Sequence, residues 1–396
     1  MKIAICGYRN NEYSEGQPDG TVTMIKILSS GLQQLGHEIY NINLNLDSVT
    51  LEERKTNLTN GIINVDFFGS KTVEIAQQLI QFFEEKQMDF MAPMNSPILT
   101  SIIPYLPKAT YVVTWCNSIN DHAYFYATAH LDYLSRIVVI SPRQKRDLES
   151  RWQVKEKKIQ LIPLGTEVVN DLPYKNYTNR LQVCYVGRFE EPQKGVHIIS
   201  KIYNEAKDSG IEFDLELIGD GPERDYLKKI FENQNSVSIT ETGITREELY
   251  LKLQGKHILI TPSKFEGFGM VVIEAMMNAV VPIVNSVSGV LDWIVEDNVT
   301  GMVRSRKKPK DFSNAVIELC RNRDLLENLA KQARARAVAN FSSSEMIKVW
   351  EQTLIDIAQT NVKPKPKEFF EYREFKGWRP SITRRLKNLI GLDPKY

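Results

Sequence analysis

Short apolar runs alternate with longer amphipathic segments along the first half of the chain. Each run has the length of a buried strand, and the segments between the runs show helical periodicity. Val22–Leu35 is the clearest helix, with Gly36 placed to cap its carboxyl end. This alternation predicts a parallel sheet whose strands are joined by helices. The strands predicted in this half are Lys2–Cys6, Glu38–Ile42, Ile62–Phe67, Thr110–Thr114, Ile137–Ser141 and Ile159–Ile162.

The same pattern restarts after a polar stretch that is interrupted by Pro173. Polar residues without periodicity indicate a boundary between domains. Helices are predicted beyond the boundary over Glu223–Asn233, Arg246–Gln254 and Met270–Ala279. The strands predicted in this half are Val183–Val186, Leu215–Ile218, Val237–Thr240, His257–Thr261 and Val281–Val284.

The two halves predict an α/β fold with two Rossmann-like, doubly wound lobes. Ligands of such folds bind beside the carboxyl ends of the strands, so we expect the lobes to face a central cleft. From about Lys310 to about Gln359 the chain is predicted to be helical. The predicted division is residues 1–165 for the first lobe, 166–180 for a linker, 181–360 for the second lobe and 361–396 for a C-terminal tail.

Composition narrows the class of protein further. The chain is 42% hydrophobic and 25% charged, as is ordinary for a globular protein. Its net charge of +1 provides no overall electrostatic attraction to nucleic acid. Residues 1–10 hold too short an apolar core for a signal peptide, and no apolar run approaches the ~20 residues that span a bilayer. The four cysteines are widely scattered, which favours reduced, buried thiols. A cytoplasmic location is therefore expected.

One carboxylate stands out against the apolar pattern. Glu274 is the only charged residue from Gly267 through Leu291. A buried carboxylate without a partner is costly, so Glu274 must face a partner or a wet cleft. The glycines before the helix allow close backbone approach, and the first-turn N–H groups favour an anion. These features suit a nucleotide diphosphate whose ribose hydroxyls bond to Glu274. The alternative is a structural partner, an arginine or lysine of the protein.

Two further stretches place charges at strand ends. In Tyr185–His197 a strand ends before Arg188, and Lys194 precedes the next helix. In Leu215–Leu227 a second strand ends in a Gly-Asp-Gly-Pro turn. Cations at this edge could clamp a diphosphate and stabilise its charge as it leaves. Taken singly, each stretch could also be a solvated turn with surface charges.

These motifs together resemble a known family. The combination of GR(x5)KG, GDGP and E(x7)E, written here as FEGFGMVVIE, resembles the retaining glycosyltransferases of the GT-B fold, glycosyltransferase family 4 (glycosyl transferases group 1). In the first lobe, PDGTVTMIKILSSGLQQLGHEI resembles the glycine loop and first helix of that family. SRIVVISPRQKRDL and IQLIPLGTE resemble its later strands and the turn into the linker.

The resemblance implies a role for each matched position. Arg188 and Lys194 would grip the diphosphate of a nucleotide sugar, and Glu266 would hold hydroxyls of the transferred sugar. Glu274 would bind the ribose, which leaves Glu266, Arg188 and Lys194 as the catalytic residues. The other implied donor contacts are Gly20, Gly187, Gly219, Gly243, Ile244, Phe268, Gly269, Met270 and Val271.

The activity implied by the resemblance is hexose transfer with retention of anomeric configuration. The donor implied is UDP-glucose or a close UDP-hexose, and the acceptor would be a hydroxyl of a glycan or a lipid-linked saccharide in cell-envelope or exopolysaccharide synthesis. The first lobe would serve the acceptor and the second the nucleotide sugar. Diphosphate is a good leaving group and the chain has no Asp-x-Asp, so no metal and no other cofactor is expected.

One position departs from the family pattern. Many relatives carry a histidine where this chain has Cys116. Asn117 or His122 could contact the donor sugar instead, or either could be an ordinary loop residue. The acceptor would be bound by loops such as Arg9–Asp19 and Asn117–Tyr126, whose sequences do not identify it.

The C-terminal tail, Asn361–Tyr396, carries ten Lys or Arg against four acids. Its apolar residues, such as Phe375, Trp378 and Ile382, could pack back onto the first lobe. Alternatively, a basic amphipathic helix could be a weak anchor at an anionic membrane near a lipid-linked acceptor.

Other functions remain open for this scaffold. A nucleotide-sugar epimerase or a sugar phosphorylase would use the same double-lobed fold, and a non-catalytic nucleotide-sugar-binding subunit would bind without turnover. A dehydrogenase using NAD is disfavoured, because the first strand ends ICGYRN and lacks the glycine fingerprint.

Overall fold

The structure is a computed structural model that describes residues 1–6, 20–45, 54–69, 71–94, 96–240, 244–360 and 366–367. It contains two compact units. The first takes in the described residues up to Ile162 and those from Ile347 onwards, and the second is Pro163–Met346. The predicted lobe boundaries were residues 165 and 361, so the second crossing between the units comes earlier in the chain than predicted.

The first unit contains a largely parallel sheet of eight strands within the described residues, in the order β3-β4-β2-β1-β5-β6-β7-β8. Its strands are β1 (Lys2–Cys6), β2 (Glu38–Asn45), β3 (Lys55–Thr59), β4 (Ile62–Phe68), β5 (Phe90–Pro93), β6 (Tyr111–Cys116), β7 (Arg136–Val139) and β8 (Ile159–Leu161). The helices between them are α1 (Gly20–Gln34), α2 (Thr72–Lys86), α3 (Pro97–Ile102), α4 (Asp121–Thr128) and α5 (Pro142–Arg151). The core lies between these strands and the buried faces of α2 and α3.

Two strands of this sheet were not predicted from the sequence. Every residue of β3 is exposed, and it pairs antiparallel with β4 at the edge of the sheet. The turn of this hairpin is Asn60-Gly61, with φ values of 50° and 79°. An Asn-Gly turn with two positive φ angles is the preferred two-residue hairpin turn. The other strand, β5, has only four residues and ends in Pro93.

The second unit contains a parallel sheet of six strands, in the order β11-β10-β9-β12-β13-β14. Its strands are β9 (Leu181–Val186), β10 (Phe213–Ile218), β11 (Val237–Ile239), β12 (Ile258–Thr261), β13 (Val281–Asn285) and β14 (Met302–Arg304). The helices are α6 (His197–Asp208), α7 (Arg224–Ile230), α8 (Arg246–Gln254), α9 (Met270–Met277), α10 (Leu291–Ile294), α11 (Pro309–Arg321) and α12 (Arg323–Phe341). The strand order reverses between β9 and β12, and ligands of doubly wound sheets bind at such a switch point.

The last described helix is α13 (Ser343–Thr360), which begins in the second unit and continues in the first. Trp350, Leu354 and Ile357 are buried, and the Trp350 ring lies 5.5 Å from that of Trp115. Burial of this apolar face on the first unit is the reason that the second crossing falls at Ile347. In the tail, the Lys367 N–H donates to Pro104 O at 2.8 Å, and the predictions for residues 368–396 lie outside the described residues.

All four cysteines are buried and free, as predicted. Burial raises the pKa of the Cys116 thiol to about 12. Among the described residues, no helix is both long and apolar enough to cross a membrane.

Candidate functional site

The candidate site lies at the carboxyl-terminal edge of the second sheet. Connections that carry predicted residues leave this edge after β9 (residues 187–196), β10 (219–223), β11 (the described residues 240 and 244–245) and β12 (262–269). Because β9 and β12 are neighbours in the sheet, the first and last of these loops flank the switch point.

Two of the predicted catalytic residues are in direct contact. Lys194 Nζ donates a hydrogen bond to Glu266 Oε1 at 2.7 Å. The two side chains are only 19% and 11% exposed. Beside them, the Lys264 N–H donates to Gln193 O at 2.7 Å, so the two loops are also joined through their backbones. The structure therefore brings together an ammonium and a carboxylate that are separated by 72 residues in sequence.

Gly195 allows this close approach. Its φ is +70°, and a Cβ there would lie 2.8 Å from Pro262 O. A larger residue would thus push apart the two loops that hold Lys194 and Glu266.

Arg188 is held differently from Lys194. Its side chain is 62% exposed, and its Nη2 lies 2.9 Å from Glu190 Oε2 and 3.2 Å from Gln193 Oε1. The predicted pair of diphosphate cations therefore consists of one enclosed lysine and one exposed arginine at the rim of the site.

The predicted glycines at the ends of β9 and β10 lie against each other. Gly219 has a φ of +154°, and a Cβ there would come within 2.0 Å of Gly187 O. The Gly187 N–H donates to Ile218 O at 3.0 Å, and the Phe189 N–H donates to Asp220 O at 2.7 Å. Tight contact between the two loops explains glycine at position 219, and contact with a donor remains a prediction for both glycines.

Helix α9 begins with the predicted turn. Gly269 has a φ of +103°, and a Cβ there would lie 2.7 Å from Leu291 Cδ2. The N–H groups of Met270 and Val271 belong to the first turn of the helix, where no intrahelical acceptor exists, so they are available to an anion.

The side chain of Phe268 is buried in the protein. Its side chain is 3% exposed and packs edge-on against the rings of Trp293 and Phe341. The side chain is therefore part of the apolar core, and only the backbone of Phe268 could contact a donor.

Glu274 lies one turn into α9 and is 7% exposed. Its Oε1 is 3.3 Å from Arg246 Nη2. The structural alternative named for this carboxylate, a protein cation as its partner, is therefore present, and contact of Glu274 with a donor ribose remains a prediction. Burial raises the pKa of Glu274, and the charge of Arg246 offsets part of that increase.

Arg246 was not among the residues predicted for the site. It is the first residue of α8, and its Nη2 also donates to Thr166 Oγ1 at 2.9 Å and to Tyr250 Oη at 3.1 Å. The available sequence signal was its position directly after the Thr245 cap and close to Ile244. An ion pair between residues 28 apart leaves no local pattern.

A second set of unpredicted residues ties the loops together. Asn285, at the end of β13, donates from Nδ2 to Ser263 O at 2.8 Å and accepts from the Arg306 N–H at 2.9 Å. Arg306 Nη1 in turn donates to Pro192 O at 3.0 Å. These contacts link the Lys194 loop to the Glu266 loop through Asn285, at the end of β13, and Arg306, which follows β14.

The remaining predicted residues have simpler surroundings. Ile244 precedes the Thr245 cap of α8 and is partly buried, while Gly243 lies outside the described residues. Gly20 is the first residue of α1 in the first unit, and the predicted loop Arg9–Asp19 lies outside the described residues.

Cys116, the residue that departs from the family pattern, lies in the first unit. Cys116 is buried, and its Sγ donates to Ser118 O at 3.4 Å. Asn117 follows it and is partly exposed. The ring of His122, in the first turn of α4, lies 4.9 Å from that of Tyr126. Roles for Asn117 and His122 toward a donor sugar remain predictions.

The comparisons with known proteins agree with this arrangement. Residues 172–336 match the family model described as glycosyl transferases group 1. A protein of Methanocaldococcus jannaschii named as an uncharacterized glycosyltransferase is 29% identical over 220 residues, which are 55% of this chain and 58% of that protein. The chain spans about half the length of the curated relatives it matches.

Solved structures resemble nearly the whole chain. A crystal structure of a glycosyltransferase from Rickettsia africae has a TM-score of 0.69 at 17% identity, covering 91% of this chain and 99% of that one. The structure of Anabaena HepE in complex with UDP and glucose has a TM-score of 0.68 at 16% identity, covering 90% of this chain and all of that one. The predicted fold class, two Rossmann-like domains of the GT-B type, is confirmed. The chain therefore carries a glycosyl transferases group 1 domain in its second unit and has glycosyltransferases among its relatives.

Proposed function

We propose that this protein is a retaining glycosyltransferase of family 4 that transfers a hexose from a UDP-sugar to a hydroxyl of a glycan or lipid-linked saccharide. The contact of Lys194 with Glu266 beside the first turn of α9 is the observation that carries this proposal. It combines a cation and N–H donors for a diphosphate with a carboxylate for sugar hydroxyls at one edge of one sheet. Cell-envelope or exopolysaccharide synthesis is the setting in which we expect such a transfer.

In the proposed reaction the bond between the anomeric carbon and the diphosphate oxygen breaks, and the oxygen keeps the electron pair. Lys194, Arg188 and the first-turn N–H groups of α9 stabilise the charge that develops on the diphosphate. Glu266 accepts hydrogen bonds from sugar hydroxyls and orients the anomeric carbon. The acceptor hydroxyl attacks on the face that the leaving group vacates, and its proton passes to the departing phosphate. Configuration is thereby retained.

Uridine and glucose are the donor groups we propose. The complex of Anabaena HepE with UDP and glucose supports this choice, since that structure resembles the whole fold. Glu274 then binds the ribose, with Ile244 beside the base. No metal is required in this mechanism, because the diphosphate charge meets protein cations, and turnover is expected to persist in EDTA.

A melting screen of the full chain with UDP, GDP and ADP sugars tests donor binding, because a ligand that prefers the folded state raises Tm. We expect UDP-glucose or a closely related UDP-hexose to give the largest increase. Transfer is tested by UDP release in the presence of candidate acceptors. Unchanged turnover in Lys194→Ala or Glu266→Ala would refute the proposed roles.

The same assays separate the alternative functions. An epimerase forms product without a sugar acceptor, and a phosphorylase depends on inorganic phosphate. A non-catalytic subunit binds the nucleotide sugar but releases no UDP with any acceptor.

We further propose a cytoplasmic enzyme whose basic tail contacts an anionic membrane weakly. The contact of Lys367 with Pro104 supports the competing arrangement, in which the tail packs on the first unit. Pelleting with anionic liposomes, with and without Lys363–Tyr396, separates the two. Equal pelleting of both forms excludes the membrane contact.

A further inference from the structure

We propose that Arg246 is a positioning residue that fixes Glu274 so that the site discriminates a ribose from a deoxyribose. This inference rests on the proposed function, in which Glu274 binds the donor ribose. It assigns a role to the unpredicted arginine and to its two hydroxyl partners.

Two hydroxyl groups of the protein hold the side chain of Arg246. Arg246 Nη2 donates to Thr166 Oγ1 at 2.9 Å and to Tyr250 Oη at 3.1 Å, in addition to its contact with Glu274. The backbone at this point is fixed by a capping box, in which the Glu248 N–H donates to Thr245 Oγ1 at 3.1 Å and the Thr245 N–H donates to Glu248 Oε2 at 2.7 Å. Arg246 is therefore anchored by the protein before any ligand arrives.

Arg246 leaves part of the Glu274 carboxylate available to a ligand. The contact engages one oxygen of Glu274, and its length of 3.3 Å exceeds that of a strong charge-assisted bond. A carboxylate has about four lone-pair sites on its two oxygens. Arg246 thus orients the carboxylate while sparing acceptor sites for a ligand.

A ligand that binds Glu274 must supply hydrogen-bond donors. A carboxylate in a nearly buried position accepts hydrogen bonds from hydroxyl groups and gains little from an aliphatic hydrogen. Sites built to hydrogen-bond a hydroxyl discriminate strongly against an analogue that lacks it, because a buried polar group is then left unpaired. A 2′-deoxyribose lacks one of the two ribose hydroxyl groups that could donate a hydrogen bond to Glu274.

The test measures binding of UDP and 2′-deoxy-UDP to the full chain by isothermal titration calorimetry. The wild type is expected to bind UDP about tenfold or more tightly than 2′-deoxy-UDP. Arg246→Gln should reduce that preference to about twofold or less. Tyr250→Phe, which removes one anchor of Arg246 with little change in shape, should reduce it by a smaller factor.

A double variant separates positioning from a general loss of structure. If Arg246 acts through Glu274, Arg246→Gln combined with Glu274→Gln should show the same preference as Glu274→Gln alone. The matched control is Lys252→Gln, on the same helix, which removes a cation 2.7 Å from another enclosed carboxylate, Glu216. That control should keep the wild-type preference for UDP.

The outcomes are distinguishable. A wild-type preference that survives unchanged in both Arg246→Gln and Tyr250→Phe overturns this inference and leaves the proposed function standing. Additive losses in the double variant also overturn it, because Arg246 would then act independently of Glu274. A wild type that binds no nucleoside diphosphate or nucleotide sugar overturns the proposed function itself, and the role of Arg246 with it.

Discussion

Lys194 Nζ and Glu266 Oε1 lie 2.7 Å apart at the switch point of the second sheet. Both side chains are more than four-fifths buried, so each charge depends on the other in the absence of ligand. A diphosphate would give Lys194 a second anionic partner, and a sugar would give Glu266 hydroxyl donors. We therefore expect the pair to contribute to the stability of the protein and to sugar transfer, and the two contributions can be measured separately.

Lys194→Met should lower the free energy of unfolding by about 1–3 kcal/mol, because it leaves the Glu266 carboxylate enclosed and unpaired. The double variant Lys194→Met with Glu266→Gln should recover most of that loss, since the uncompensated charge is gone. Sugar transfer from the donor should be abolished in both the single and the double variant. Chemical denaturation and UDP release measure the two effects.

A surface pair provides the control for this comparison. Lys331 and Glu327 are also 2.7 Å apart, but their side chains are 71% and 42% exposed. Lys331→Met should change the free energy of unfolding by less than about 1 kcal/mol. An equal loss in both lysine variants would show that enclosure of the Lys194 pair has no energetic consequence.

Arg306→Ala should lower kcat/KM for the donor by about 10- to 100-fold, because the Lys194 loop loses the hydrogen bond to Pro192 O that holds it. Steady-state kinetics with the donor found by the melting screen measures the effect. Arg304→Ala is the matched control. Arg304 is two residues away and equally enclosed, but its Nη1 pairs with Asp297 at 2.7 Å. Similar losses in both variants would contradict a specific role for Arg306.

Gly219→Ala should destabilise the second unit by about 2 kcal/mol or more and weaken donor binding. The added Cβ would overlap Gly187 O, and the φ of +154° is strained for any L side chain. Gly255→Ala should be tolerated, because its nearest neighbour would be Lys252 O at 3.6 Å. Thermal melts of both variants check the difference, and a normal Tm for Gly219→Ala would contradict this geometry.

Glu216 should make the protein acid-sensitive. Burial alone would raise the pKa of this carboxyl, but its hydrogen-bonding partners outweigh burial and lower the pKa from 4.5 to about 2. These partners are Lys252, Lys256 and Thr240. A folded-state pKa below the unfolded value stabilises the protein above pH 4.5, and this contribution is lost as the pH falls toward 2.

Glu216→Gln should therefore cost on the order of 2–3 kcal/mol at pH 7 and progressively less below pH 4.5. Urea unfolding at a series of pH values measures the difference. The control is Glu212→Gln, because the Glu212 side chain is 82% exposed and 3.8 Å from Arg180. A cost for Glu216→Gln that is independent of pH would contradict the assigned partners.

Much of the second unit follows from local patterns. The predicted helix Arg246–Gln254 has the same bounds in the structure, because a Thr-x-x-Glu capping box marks its start. Strands such as β9, β10 and β12 were predicted within two residues at each end, since apolar residues fill most of their buried positions. By contrast, β3 could not be found from apolar content, because every residue of this edge strand is exposed.

The sequence by itself determined which residues stand at the strand ends and that an acid interrupts the apolar run of α9. Only the tertiary structure decided what meets that acid. Periodicity is a property of neighbouring residues, whereas the contact of Glu274 with Arg246, 28 residues away in sequence, depends on how α8 and α9 pack on one sheet. The same reason applies to Phe268, which packs against Trp293 and Phe341, and to Ile347, where the chain returns to the first unit.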